Sequence, residues 1–110
     1  MPITASDRKA KTAPYLFKCF EASTGHITKT DRNLLDCGED RPICVYKYDY
    51  GWFVYVGGDR LTPTDRKNLK ENGFSDTFLH LLEMAGKNEC KFLALDADGF
   101  VYSDLPTFDW

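Results

Sequence analysis

The sequence lacks any long apolar run. No stretch approaches the roughly 18 residues that a membrane-spanning helix needs. The opening stretch MPITASDRKAKTAPYLF has no continuous apolar segment of the signal-peptide kind. These absences make the cytoplasm the expected location, with no membrane partner. Histidine is scarce, with only His26 and His80. There is no GxSxG, HExxH, GxGxxG or phosphate-loop pattern, so no hydrolase, zinc-protease or nucleotide signature is assembled. The four cysteines, Cys19, Cys37, Cys44 and Cys90, contain no Cys-x-x-Cys pair. Zinc sites usually carry two such close pairs. Free thiols are therefore expected, with no metal, no cofactor and no disulfide. Positive charge is also short: 14 Lys and Arg stand against 17 Asp and Glu, a net charge of −3. A duplex-DNA binder draws most of its affinity from neutralising phosphates, and this balance excludes that class for the chain as a whole.

What is present is enough for one core. The chain has 110 residues, 43% hydrophobic and 15% aromatic, which suits a single domain needing no metal or disulfide for stability. Residues 1–13 are polar, with Arg8, Lys9 and Lys11, and read as a flexible basic arm. Residues 14–110 read as one domain. Tyr15–Glu21 is an aromatic-rich first strand. Thr28, with Asp31 in the first turn, starts a short helix over 29–37 that Gly38 stops. Thr62 and Pro63 start a polar helix closed by Gly73. Ser75 caps the main helix over 76–87, on which Phe78, Leu79, Leu81, Leu82 and Ala85 form one wide apolar face.

The segment "RPICVYKYDYGWFVYVGGD" is the clearest hairpin. A three-residue loop, Asp49-Tyr50-Gly51, with Gly51 in the left-handed conformation, sets Tyr48 opposite Trp52, Tyr46 opposite Val54 and Cys44 opposite Val56. Val45, Lys47, Phe53 and Tyr55 then share the other side, and a one-residue slip would exchange the partners. A second hairpin is expected, Lys91–Leu95 against Phe100–Ser103. The element order becomes β-α-β-β-α-α-β-β. This predicts an α+β fold with a mainly antiparallel sheet of about five strands, covered on one face by the 76–87 helix.

Three features invite a functional reading. Asp96-Ala97-Asp98-Gly99 resembles a carboxylate site, but a calcium loop needs a third carboxylate before its glycine. Asp for local hydrogen bonding followed by Gly is what a tight turn requires. Cys44 or Cys19 with His26 is the nucleophile–base combination that a small enzyme would use here, and no spacing supports it. The tyrosine hairpin is the strongest feature. Tyr46, Tyr48, Tyr50, Trp52 and Tyr55 crowd one segment, where they either pack the sheet or anchor a protein interface. From Glu83 to Trp110 six acidic residues stand against two lysines. Asp96, Asp98 and Asp104 thus extend the candidate partner-binding surface, which suits a basic target.

Five stretches together, "GHITKTDRNLL", "YKYDYGWFVYV", "GFSDTFLHLLEMA", "FLALDADG" and "LPTFDW", span about residues 26–110. They resemble a family of short bacterial proteins with a domain of unknown function, carried on plasmids, prophages and integrated elements near antirestriction and toxin–antitoxin genes. The resemblance implies genetic context and carries no catalytic residues. The expected function is a non-catalytic, protein-binding accessory of a mobile element. Its expected partner is a host or phage protein, such as the basic nucleic-acid-binding surface of a defence complex, in the manner of an anti-CRISPR or antirestriction inhibitor. The alternative is a nucleic-acid-associated accessory using the basic arm and the hairpin tyrosines.

Overall fold

The computed structural model describes residues 16–37, 43–57 and 61–109. The basic arm, Tyr15, Gly38 and Trp110 lie outside these. The elements are β1 (Cys19–Ser23), a 3-10 turn (Thr24–His26), α1 (Lys29–Leu35), β2 (Val45–Tyr48), β3 (Gly51–Tyr55), α2 (Pro63–Glu71), α3 (Asp76–Lys87) and β4 (Phe92–Asp96). The fold is α+β, and the described strands form one sheet in the order β1-β4-β3-β2. No helix among the described residues is long and apolar enough to cross a membrane.

The sheet differs from expectation in two ways. It is mixed, because β1 runs parallel to β4 while β2–β3 and β3–β4 are antiparallel. It has four described strands where about five were expected, because residues 100–103 do not form a strand. β4 is central, with β1 on one edge and β3 on the other, and no edge is left for a hairpin partner. The chain instead crosses beside β1, where the Ser23 N–H donates to Phe100 O at 2.9 Å. A Cβ on Gly99 would lie 2.5 Å from Ala22 O, so this crossing needs glycine.

The tyrosine hairpin forms with the slipped register. The turn is Asp49-Tyr50, and Tyr48 pairs with Gly51, Lys47 with Trp52, Tyr46 with Phe53 and Val45 with Val54. Gly51 is thus a strand residue opposite Asp96 of β4. A Cβ there would fall 1.8 Å from Leu95 O, so the glycine permits the close approach of β4 and is not a left-handed turn residue.

All three helices start as the sequence indicates. Thr28 and Asp31 form a reciprocal capping box on α1, Thr62 caps α2 with Pro63 in the first turn, and the Ser75 hydroxyl accepts from Phe78 N–H at the start of α3. α3 buries Phe78, Leu79, Leu81, Leu82 and Ala85 in one cluster with Ala22, Trp52, Val54, Leu93 and Leu95 of the sheet. Asp31 joins two helix starts. Its side chain is fully buried and accepts from Thr28 N–H (2.9 Å), Ser75 N–H (2.7 Å) and Ser75 Oγ (2.5 Å).

The C-terminal segment is docked as far as it is described. His26 is fully buried. Its Nε2 accepts from Tyr102 N–H at 2.8 Å, which leaves the proton on Nδ1 to donate to Pro106 O at 2.7 Å. Phe108 N–H donates to Gly25 O at 2.8 Å, and Tyr102 Oη donates to Glu21 O at 2.7 Å. Leu105 packs against the core.

Candidate functional site

Alternation along the strands gives the sheet two unlike sides. Ala22, Trp52, Val54, Leu93 and Leu95 face the helices and are buried. On the opposite side stand Cys19 and Glu21 of β1, Phe92 and Asp96 of β4, Phe53 and Tyr55 of β3, and Tyr46 and Tyr48 of β2, as the register requires. No described helix packs on this side. Phe92 is its centre: the rings of Phe17, Tyr46, Phe53 and Tyr55 lie 5.8, 6.2, 6.1 and 5.6 Å from it. Tyr48 extends the patch, 5.0 Å from Phe53. Phe17, Tyr46 and Tyr55 remain 51, 54 and 46% exposed, so the rings pack edgewise on one another without being covered. Phe17, Cys19, Tyr46, Phe53 and Phe92 line a shallow apolar groove across it.

One end of the face is acidic. The Tyr48 hydroxyl donates to Asp96, whose other carboxylate oxygen accepts from Asp98 N–H at 2.8 Å. The Tyr48 bond, then the Asp98 amide, hold the Asp96 carboxyl below its ordinary value. Burial, the Asp96 bond and the nearby Glu21 push the Tyr48 phenol up. Ala97 N–H donates to Tyr50 O at 2.8 Å, which ties the 96–98 turn to the Asp49-Tyr50 turn. Asp96-Ala97-Asp98-Gly99 is therefore a turn closed by its own side chain, with Gly99 N–H donating to Asp96 O at 2.9 Å. Among the described residues no group of three or more His, Cys, Asp or Glu is placed to hold a metal ion.

The sequence-derived site residues fall into three sets. Tyr46, Tyr48, Tyr55 and Asp96 share the open face, with Tyr50 and Asp98 exposed at its acidic end. Trp52 does not join them. It is 3% exposed on the helix side, its Nε1 donates to Asp36 Oδ1 at 2.9 Å, and Lys47 Nζ lies 4.4 Å from its ring. Asp104 is exposed on the segment that crosses beside β1, the sheet edge opposite the tyrosines of β2. Phe17, Phe53, Phe92 and Glu21 were missed. The slipped register would have found Phe53, and strand alternation from Asp96 would have found Phe92.

The thiols and histidines do not form a catalytic set. Both nitrogens of His26 are taken by backbone groups, and His80 is exposed on α3. Cys44 Sγ meets the Tyr46 hydroxyl at 3.5 Å. Partial burial, and secondarily Cys90, push the Cys19 thiol above its ordinary value, away from the thiolate a nucleophile needs. A separate hollow between β3 and α2, lined by Ile43, Cys44, Val56, Leu61 and Asp65 among others, includes neither histidine.

No curated protein and no solved structure matches this chain. Residues 19–110 match the family described as "Family of unknown function (DUF5983) C-terminal domain", which carries no enzymatic assignment. The match begins at β1 and takes in every described element, and the chain belongs to that family.

Proposed function

We propose that this chain is a non-catalytic protein-binding module whose contact surface is the open aromatic face of its sheet. The observation that carries the reading is the patch around Phe92, five neighbouring rings on the side of the sheet that no described helix covers. Soluble domains rarely leave contiguous aromatic area in water without a use for it, and Tyr and Phe are enriched where proteins meet. In the fuller form of the proposal the module is an accessory of a mobile genetic element that occupies a component of a host defence system, as the sequence resemblance implies. The nucleic-acid alternative is less well supported. Base-stacking faces carry Lys or Arg among the rings, whereas here Lys91 lies over Phe17 at one end and the described strand residues of the face include Glu21 and Asp96 and no basic residue.

The test is capture with the wild-type chain and with Tyr46→Ser/Tyr55→Ser, followed by identification of the captured protein and its purification. The reading expects a defined protein that is lost with the double variant. Equal capture by both proteins would remove the face from the account. Phage infection of defended hosts tests the wider role, and infection unaffected by the protein would reject it.

A further inference from the structure

The open face is divided along the strands. At the Phe92 end it is apolar, the groove of Phe17, Cys19, Tyr46, Phe53 and Phe92. At the Asp96 end it is acidic. Asp96 lies on the face with Glu21 two residues short of it, level with Ala94, and Asp49 and Asp98 lie on the two turns that bound it, tied by the Ala97–Tyr50 hydrogen bond. No described strand residue on this face is basic. Lys91 lies over Phe17 at the far end, 4.6 Å from its ring. Lys47 and Arg32 line a depression beside the hairpin turn together with Asp49 and Tyr50, and Lys47 is 3.8 Å from Asp36.

Accepting the open face as a protein-binding surface, we infer that its partner presents an extended segment carrying an apolar side chain and, about four residues away, a lysine or arginine. The apolar group fills the groove at Phe92, and the cation lies between Glu21 and Asp96. Charge complementarity and the spacing carry this inference. Phe92 and Asp96 are separated by four steps of β4, about 13 Å along a strand. An extended segment laid along the strands spans that distance between a residue and the fourth one after it, and the two side chains point to the same side. A guanidinium there meets two carboxylates in charge-assisted hydrogen bonds. An acidic or neutral segment leaves Glu21 desolvated without a counter-charge.

Fluorescence anisotropy at low ionic strength with three short labelled peptides on a threonine background tests this, using the full chain. One peptide carries leucine and arginine with that spacing. The second replaces the arginine with glutamate and the third replaces the leucine with serine. The first should bind at least about tenfold more tightly than either other. Glu21→Gln with Asp96→Asn should abolish its preference over the glutamate peptide, and added salt should weaken it. Three results overturn the inference: no binding of the first peptide, equal binding of the first two, or a preference for a labelled single-stranded RNA over all three. A concentration-dependent dimer whose formation blocks the first peptide would assign the face to a second copy instead, and also overturns it. If the charge variants leave capture of the cellular partner intact while Tyr46→Ser/Tyr55→Ser abolishes it, the face reading stands and the basic-segment inference fails.

Discussion

Replacing His26 with alanine should destabilise the protein more than any other single histidine or surface change. The ring joins residues far apart in sequence, accepting from Tyr102 N–H at 2.8 Å and donating to Pro106 O at 2.7 Å. Each hydrogen bond contributes about 1 kcal/mol net, and more when its loss leaves a partner unsatisfied away from water. His26 itself is fully buried, so alanine also leaves a cavity. Together these give a loss of about 3 kcal/mol, which for a domain of this size lowers the Tm by roughly 12–20 °C. Two further substitutions separate the bonds. In His26→Asn the amide nitrogen replaces Nδ1 and restores only the bond to Pro106. In His26→Gln the amide oxygen replaces Nε2 and restores only the bond from Tyr102. Each should recover about half the loss. Thermal and urea unfolding measure the totals, and hydrogen exchange at the Tyr102 amide should speed up in His26→Ala and His26→Asn but less in His26→Gln. A Tm for His26→Ala within a few degrees of wild type would refute the view that this ring anchors the C-terminal segment.

Deleting residues 106–110 should lower the melting temperature as well, because the deletion removes the Pro106 acceptor and the Phe108–Gly25 bond; an unchanged melt would mean the segment contributes nothing. Asp31→Ala should cost about 3 kcal/mol in urea unfolding, since the buried carboxylate takes three donors from the starts of α1 and α3. Gly51→Ala should prevent stable folding or part β3 from β4, because its Cβ has no room beside Leu95 O, and a soluble variant with an unchanged amide spectrum would contradict the register. Tyr48→Phe should raise the Asp96 carboxyl toward its ordinary value, measurable by carboxyl-carbon NMR titration. The sign follows from linkage. A depressed folded-state carboxyl lends stability above its unfolded value and loses it as pH falls, so the wild type should lose more stability than Tyr48→Phe on acidification.

Local chemistry was legible and long-range pairing was not. Thr28, Thr62 and Ser75 announce their helices because a cap is a matter of three or four adjacent residues. The period of α3 named its buried face, since helix amphipathicity is likewise local. The turn at Asp96–Gly99 followed from the same kind of rule. Gly51 misled because glycine serves both turns and close approaches, and the oxygen that demands it belongs to Leu95, far along the chain. That single ambiguity shifted the register and exchanged the partners, putting Trp52 with Tyr46 and Tyr48 and Phe53 away from them. The parallel pairing of β1 with β4 was invisible for a related reason: nothing in Cys19–Ser23 specifies a partner in Phe92–Asp96. The anchoring role of His26 left no mark in the sequence because both of its partners are backbone groups of the C-terminal segment.

The central claim is that the open aromatic face is where this protein meets its partner. The most direct measurement is the Kd of the purified partner, by titration calorimetry, for wild type, Tyr46→Ser/Tyr55→Ser and a control, Lys67→Ser, on the exposed side of α2. Truncating anchors at the heart of an interface costs about 2 kcal/mol or more, so the double variant should bind roughly 30-fold or more weakly with an unchanged Tm, while the control binds as wild type. Equal Kd values for wild type and the double variant would contradict the account.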